Sequence, residues 1–334
     1  MSVKILGTGI CIPEKIIDND DLSKIVETND EWIVERTGIS KRHVVNGETT
    51  WSMGVESATN ALKNAKLKSE DIDAVIGVTI SPDFFYPSLS CIIAKKLGIK
   101  NPLTVDISAA CSGLVYAMDL ANRYLMDDDY KHVLIVCSET LSKQTDYTDR
   151  GTCILFGDAS GSLVLTKGKG LFKSVLSSEQ NGMEALASRA LPGDHPFVDD
   201  DKRQVDDLGG LLPPLNRSYC HMAGQDVYRF AVRSVPDAVR RVLKKADYAV
   251  EDVDLFLFHQ ANLRIIEKVS AMLKIDMDKV YSNIENYGNT SSASMAICIH
   301  ECLEKGIMKD GQKLIMTGFG GGLTYGALVM EVNL

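Results

Sequence analysis

The chain repeats part of itself, and that repeat limits the folds open to it more than any other feature. The stretch ALKNAKLKSEDIDAVIGVT, beginning at Ala61, returns as VLKKADYAVEDVDLFLFHQ, beginning at Val242, an offset of 181 residues. Leu62 falls on Leu243, Lys63 on Lys244, Ala65 on Ala246, Glu70 and Asp71 on Glu251 and Asp252, and Asp73 on Asp254. Each copy reads as an amphipathic helix, a polar turn and a buried strand. The surrounding order repeats too: a strand, a small-residue loop, a helix and a closing strand hairpin. In the first half LTVDISAACSGLVYAMDLAN leads to HVLIVCSE and CILFGDASGSLVLTK; in the second KVYSNIENYGNTSSASMAICIHECL leads to KLIMTGFGGGLTYGALVMEV. Alternating strands and helices predict parallel-rich sheets joined by right-handed crossovers. Two such halves packed together predict an α/β protein with a layered α/β/α/β/α body. The halves are expected over 1–170 and 221–334, with 171–220 as a linker. Within that linker, 192–215 is rich in Asp, Gly and Pro and has no sustained period; long loops of this kind often serve as lids or binding loops.

A chain of 334 residues has room for both halves. No apolar run reaches the roughly 18 residues of a membrane helix, and the start MSVKILGTGICIPEKI reads as a first strand rather than a signal peptide. The expectation is no membrane partner and a cytoplasmic location. A net charge of −9 argues against nucleic acid as a general partner. The eight cysteines are scattered, with no CxxC pair, so neither a zinc site nor a disulfide framework is expected.

One of those cysteines stands apart. Cys111 follows a strand at 103–107 and a tight small-residue turn, and a helix begins just after it. The unpaired N–H groups and dipole of a helix start favour a thiolate, so this position is expected to lower the thiol pKa. His259 ends an apolar strand at 253–258 and precedes a helix; Asn289 lies between another strand and another helix. Each alone has a bland reading: a buried Cys, a His bonded to a loop, an Asn in a turn. Together all three strand ends converge on the edge where open α/β sheets bind ligands. A thiolate attacks a thioester without a strong base, and His and Asn can both donate to an oxygen that gains charge. Glycines 320–322 let backbone N–H groups approach a ligand closely, so a second oxyanion-binding loop beside Cys111 is expected there; a tight hairpin is the bland reading.

The motifs ACSG around Cys111, HQAN at 259–262, GNTSSAS around Asn289 and FGGGLTYG at 319–326 resemble those of the β-ketoacyl-[acyl-carrier-protein] synthase III family. DEWIVERTGISKRH (Asp30 to His43) and TDRGTCILFGDASG (Thr148 to Gly161) do so as well, and the match runs in family order along the whole chain. The resemblance implies a thiolase fold, a homodimer and an acyltransferase of fatty acid or related biosynthesis. It implies that Cys111 takes an acyl group from acyl-CoA and passes it to malonyl-acyl-carrier protein with loss of carbon dioxide. His259 and Asn289 would hold the enolate, and the N–H groups of Cys111 and Gly321 the oxyanion. No cofactor is implied; coenzyme A enters as a thioester substrate. Trp32 would stack on the CoA adenine with Arg36 and Arg150 nearby, and Tyr86 would reach across the dimer to the partner's acyl pocket. Arg264 and Lys268, one turn apart on a helix, form a basic landing site for the acidic carrier, which Arg240, Arg241, Lys244 and Lys245 would extend. Tyr325 stands where the family often has Trp, and Ser292 where Ala is more usual. A thiolase-fold acyltransferase of specialised metabolism, with a different starter or a non-decarboxylative acceptor, is the alternative.

Overall fold

The computed structural model describes residues 2–188 and 219–334, so the 192–215 stretch lies outside the described residues. Two five-stranded sheets form the frame. The first holds β1 (Ser2–Cys11), β2 (Ala74–Val78), β3 (Leu103–Ile107), β4 (His132–Glu139) and β5 (Ala159–Gly168), in the order β1-β5-β4-β2-β3. The second holds β6 (Phe172–Ser178), β7 (Leu255–Phe258), β8 (Val280–Tyr281), β9 (Lys313–Gly320) and β10 (Thr324–Glu331), in the order β6-β10-β9-β7-β8. In the first, β2 runs parallel to β3 and β4, and β5 runs antiparallel to β4 and β1. In the second, β7 runs parallel to β8 and β9, and β10 runs antiparallel to β9 and β6. The two sheets therefore match strand for strand in order and direction.

The helices that bear on the site are α1 (Asp30–Thr37), α2 (Thr50–Ala65), α3 (Leu89–Leu97), α4 (Gly113–Tyr124), α5 (Gly224–Ala246), α6 (Leu263–Leu273) and α7 (Ala293–Glu304). Ala58 and Leu62 of α2 and Ile93 of α3 cover Val75 and Leu134 on one face of the first sheet. Val239 of α5 and Ile266 of α6 cover Phe256 and Ile315 on the second. Between the sheets lie α4 and α7: Leu114, Met118, Met295 and Cys298 share a core with Ile76 and Ile135 below and Leu257 and Met316 above. Strands buried on both faces carry near-continuous apolar runs, as β4 and β7 do. This is the five-layered stack the repeat predicts.

The repeat extends to backbone conformation. Lys66, after α2, has φ 55° and Asp247, after α5, has φ 58°; Ala110, before α4, has φ 45° and Ser291, before α7, has φ 48°. Both pairs stand at the sequence offset of the repeat. Side chains with a Cβ disfavour this left-handed region, so its return at two matched pairs marks equivalent positions in the two halves.

One boundary differs from the sequence reading. The interval 171–220 is not linker throughout, because Phe172–Ser178 is β6, the edge strand of the second sheet and the counterpart of β1. The second half therefore starts near residue 172. The motif match began at Ala61 and Val242, well inside each half, and a short strand exposed at intervals carries little periodic signal. Farther on, Leu186–Ala187 pairs antiparallel with His221–Met222.

Candidate active site

Three chain segments reach one cavity of about 1280 Å³, and they bring Cys111, His259 and Asn289 to its wall. The strand β3 delivers Cys111 through the left-handed residue Ala110 to the start of α4. The turn is pinned: Ser112 Oγ lies 2.7 Å from Ala109 O, and the Thr324 hydroxyl donates to the same carbonyl at 3.0 Å. The glycine loop presses against it. A methyl group on Gly320 would sit 2.6 Å from Cys111 N and 3.2 Å from its Cβ, so no residue with a side chain fits there. Gly321, next along, lines the cavity.

The Cys111 thiol is buried and donates to Ser291 Oγ at 3.4 Å. Burial pushes the thiol up to about 12, while the Ser291 hydrogen bond works the other way and the Glu139 charge adds to the rise. The helix start was expected to lower it; removal of water from around the sulfur outweighs that pull, because desolvation disfavours the charged form. The buried Cys111 side chain is therefore a neutral thiol.

His259 follows β7, and its N–H donates to Thr317 O at 2.9 Å, continuing the parallel ladder to β9. Burial alone lowers its pKa to about 3, so the imidazole is neutral. Its Nδ1 lies 2.8 Å from Ser294 Oγ, which also accepts the Gln260 N–H at 3.4 Å. Ser294 Oγ can give its proton to Nδ1, and the ring proton then sits on Nε2, the remaining nitrogen. Asn289 is fixed by its backbone: its N–H donates to Leu155 O at 2.8 Å and its carbonyl accepts from Gly157 N at 3.0 Å. Its Oδ1 accepts the Ser291 N–H at 2.9 Å, which commits the oxygen side of the carboxamide and leaves the amino side as the available donor. Ser291, at φ 48°, thus touches both the nucleophile and the Asn289 carboxamide. Sequence reading singled out its neighbour and passed over it, although the GNTSSAS motif contains both.

A profile described as 3-Oxoacyl-[acyl-carrier-protein (ACP)] synthase III matches residues 105–181, and its C-terminal companion matches 243–332. A β-ketoacyl-[acyl-carrier-protein] synthase III of Clostridium novyi is 41% identical over 334 residues, 99% of both chains. The chain belongs to the β-ketoacyl-[acyl-carrier-protein] synthase III family. A solved synthase III from Aquifex aeolicus is 37% identical, with a TM-score of 0.88 over 99% of this chain and 100% of that one. The priming β-ketosynthase of the R1128 polyketide pathway is 31% identical, with a TM-score of 0.89 over 99% and 96%.

The synthase III motifs outside the centre fall around the cavity mouth. Trp32, on α1, has two guanidinium groups near its ring, Arg36 at 4.9 Å and Arg150 at 4.5 Å from the ring centre. Asn262 caps α6 by accepting from Arg264 N at 2.9 Å, and donates to Arg36 O at 3.0 Å, tying α6 to α1. Arg264 is exposed and lines the mouth, while Lys268 is exposed one turn farther on. The wider basic patch is only partly as expected. Arg240 reaches α6 through Met272 O, but Arg241 and Lys245 turn the other way, to Ser177 and Ser174 of β6. A helix presents residues one apart on different faces, which a count of charges does not show. Tyr86 is 88% exposed and does not line this chain's cavity, whereas Phe84 and Phe85 beside it do. Residues on both sides of the 189–218 interval also line it, Leu186 and Ala187 before it and Cys220 and Met222 after it.

Proposed function

We propose that this synthase III loads an acyl group from acyl-CoA onto Cys111 and condenses it with malonyl-acyl-carrier protein. The single observation that carries the reading is the donor pattern at the cavity wall. A buried neutral His259 whose Nε2 can carry the ring proton and an Asn289 whose amino side is uncommitted suit an oxygen that becomes negative, not a nucleophile that needs a base. In the first half-reaction the thiol attacks the thioester, the CoA sulfur leaves, and the thiol proton ends on it. In the second, malonyl thioester loses carbon dioxide, and His259 and Asn289 hold the enolate oxygen while its carbon attacks the acyl group on Cys111. The N–H groups of Cys111 and Gly321 hold the tetrahedral oxyanion, and the Cys111 sulfur departs and regains a proton. The chemistry needs no cofactor beyond the two thioesters. Release of labelled carbon dioxide from malonyl thioester, dependent on prior loading by acyl-CoA, tests it; transfer of the acyl group with the malonyl carboxylate retained would overturn it.

The stacked Trp32 and its two arginines are assigned to the CoA adenine and phosphates, and Arg264 with Lys268 to the acidic carrier. Adenine lies far from the reacting carbonyl, so its binding affects ground and transition states alike. Trp32→Ala is expected to raise KM for acyl-CoA on the order of tenfold and leave kcat within about twofold. A fall in kcat with KM unchanged would remove Trp32 from the binding site. The apolar tip Phe84-Phe85-Tyr86 stands 52%, 64% and 88% exposed, and a second copy of the chain is the assigned cover, forming a homodimer. Substrates carried on CoA and carrier protein, together with free thiols at all eight cysteines, assign the protein to the cytoplasm.

A further inference from the structure

Glu139, the last residue of β4, is buried without access to water. Its Oε2 accepts from Ser81 Oγ at 2.6 Å, Thr79 Oγ1 at 3.1 Å and Ile80 N at 3.1 Å; its Oε1 accepts from Ser292 Oγ at 2.7 Å. None of these partners is a cation. A buried carboxylate without one is costly unless its oxygens are otherwise satisfied, and here four donors point at it. Ile80 N–H is a donor by necessity, and the three hydroxyls complete the set.

The partners say what the group does. Thr79 and Ile80 line the cavity at the end of β2. Ser292 ends the turn that holds Asn289 and Ser291 and stands at the start of α7. A methyl group on Gly113, the first residue of α4, would lie 3.6 Å from Ser292 Cβ, so the turn rests on the helix that begins beside Cys111. One carboxylate thus joins the cavity wall, the Asn289 turn and the nucleophile's support. We infer that Glu139 is a positioning residue for condensation: its carboxyl group holds Ser292, and with it the Asn289 turn, against the end of β2. The inference rests on the role proposed above for Asn289.

The test separates loading from decarboxylation in the full-length protein. Glu139→Gln keeps the size of the group and loses one acceptor oxygen; it is expected to lower kcat for decarboxylation of malonyl thioester on the order of tenfold at unchanged KM, with the Cys111 acyl adduct forming within about threefold of the wild-type rate. Equal loss of both steps marks loosened packing and overturns the positioning role, as does a Gln variant that decarboxylates at the wild-type rate. Ser292→Ala removes a hydroxyl and adds no bulk. It is expected to lower kcat for decarboxylation of malonyl thioester about fivefold at unchanged KM, the size of one ordinary hydrogen bond. Decarboxylation at the wild-type rate by this variant overturns the positioning role. A wild-type protein that loads an acyl group yet never releases carbon dioxide would count against the proposed function, not against the hold of Glu139 on the Asn289 turn.

Discussion

Cys111→Ala is expected to lose acyl transfer from CoA by at least about 10⁴-fold, with no acyl adduct visible by intact mass. The size follows from the chemistry: without the sulfur no covalent intermediate forms, and the reaction must proceed in one step between two bound thioesters. The remaining side chains still form the oxyanion and enolate sites, so slow decarboxylation of malonyl thioester can persist in the variant. The substitution deletes one buried sulfur and adds nothing to a site where Gly320 already crowds the backbone. The fold is therefore expected to survive, which unfolding in urea checks. Condensation at an ordinary rate by this variant would remove the nucleophile from its role.

His259→Ala separates the two half-reactions. Loading transfers the thiol proton to the departing CoA sulfur and does not require the imidazole, so the acyl adduct is expected to form within about threefold of the wild-type rate. Decarboxylation is expected to fall about 10²- to 10³-fold, the loss that follows removal of one donor to a developing oxyanion. Both quantities come from one sample, adduct by mass and carbon dioxide by label. Equal loss of both would make His259 the base for Cys111 instead of an enolate donor. The neutral form is suited to the donor role: with its pKa lowered to about 3, the ring offers an N–H without a proton it is prone to lose.

The repeat, the layers and the three central residues were legible in the sequence because each has a local mark. Leu62 and Leu243 fall in matched helices, and Cys111 and His259 each follow a strand; before Asn289 a helical turn, Ile284–Tyr287, comes after the strand. Other features depend on what lies across space. The thiol of Cys111 was expected to be acidified by the helix start, yet burial reverses the sign; only packed neighbours reveal how little water reaches the sulfur. Glu139 is the last letter of an ordinary strand, and its four donors come from two distant segments. The strand Phe172–Ser178 went unread because an edge strand needs only half the hydrophobic alternation of a central one. Arg241 and Lys245 were counted with Arg240, and their contacts on β6 separate them from it.

The matched left-handed residues Ala110 and Ser291 have a chemical consequence. Under the same offset the position equivalent to Cys111 is Ser292, so two copies of one turn at a helix start carry a sulfur in one half and a hydroxyl in the other. A reaction that joins two unlike thioesters requires two adjoining berths with different tastes. Twofold kinship supplies the adjacency and sequence drift supplies the difference. The first half keeps the guest that waits, the second handles the guest that reacts, and neither half alone holds a complete workplace.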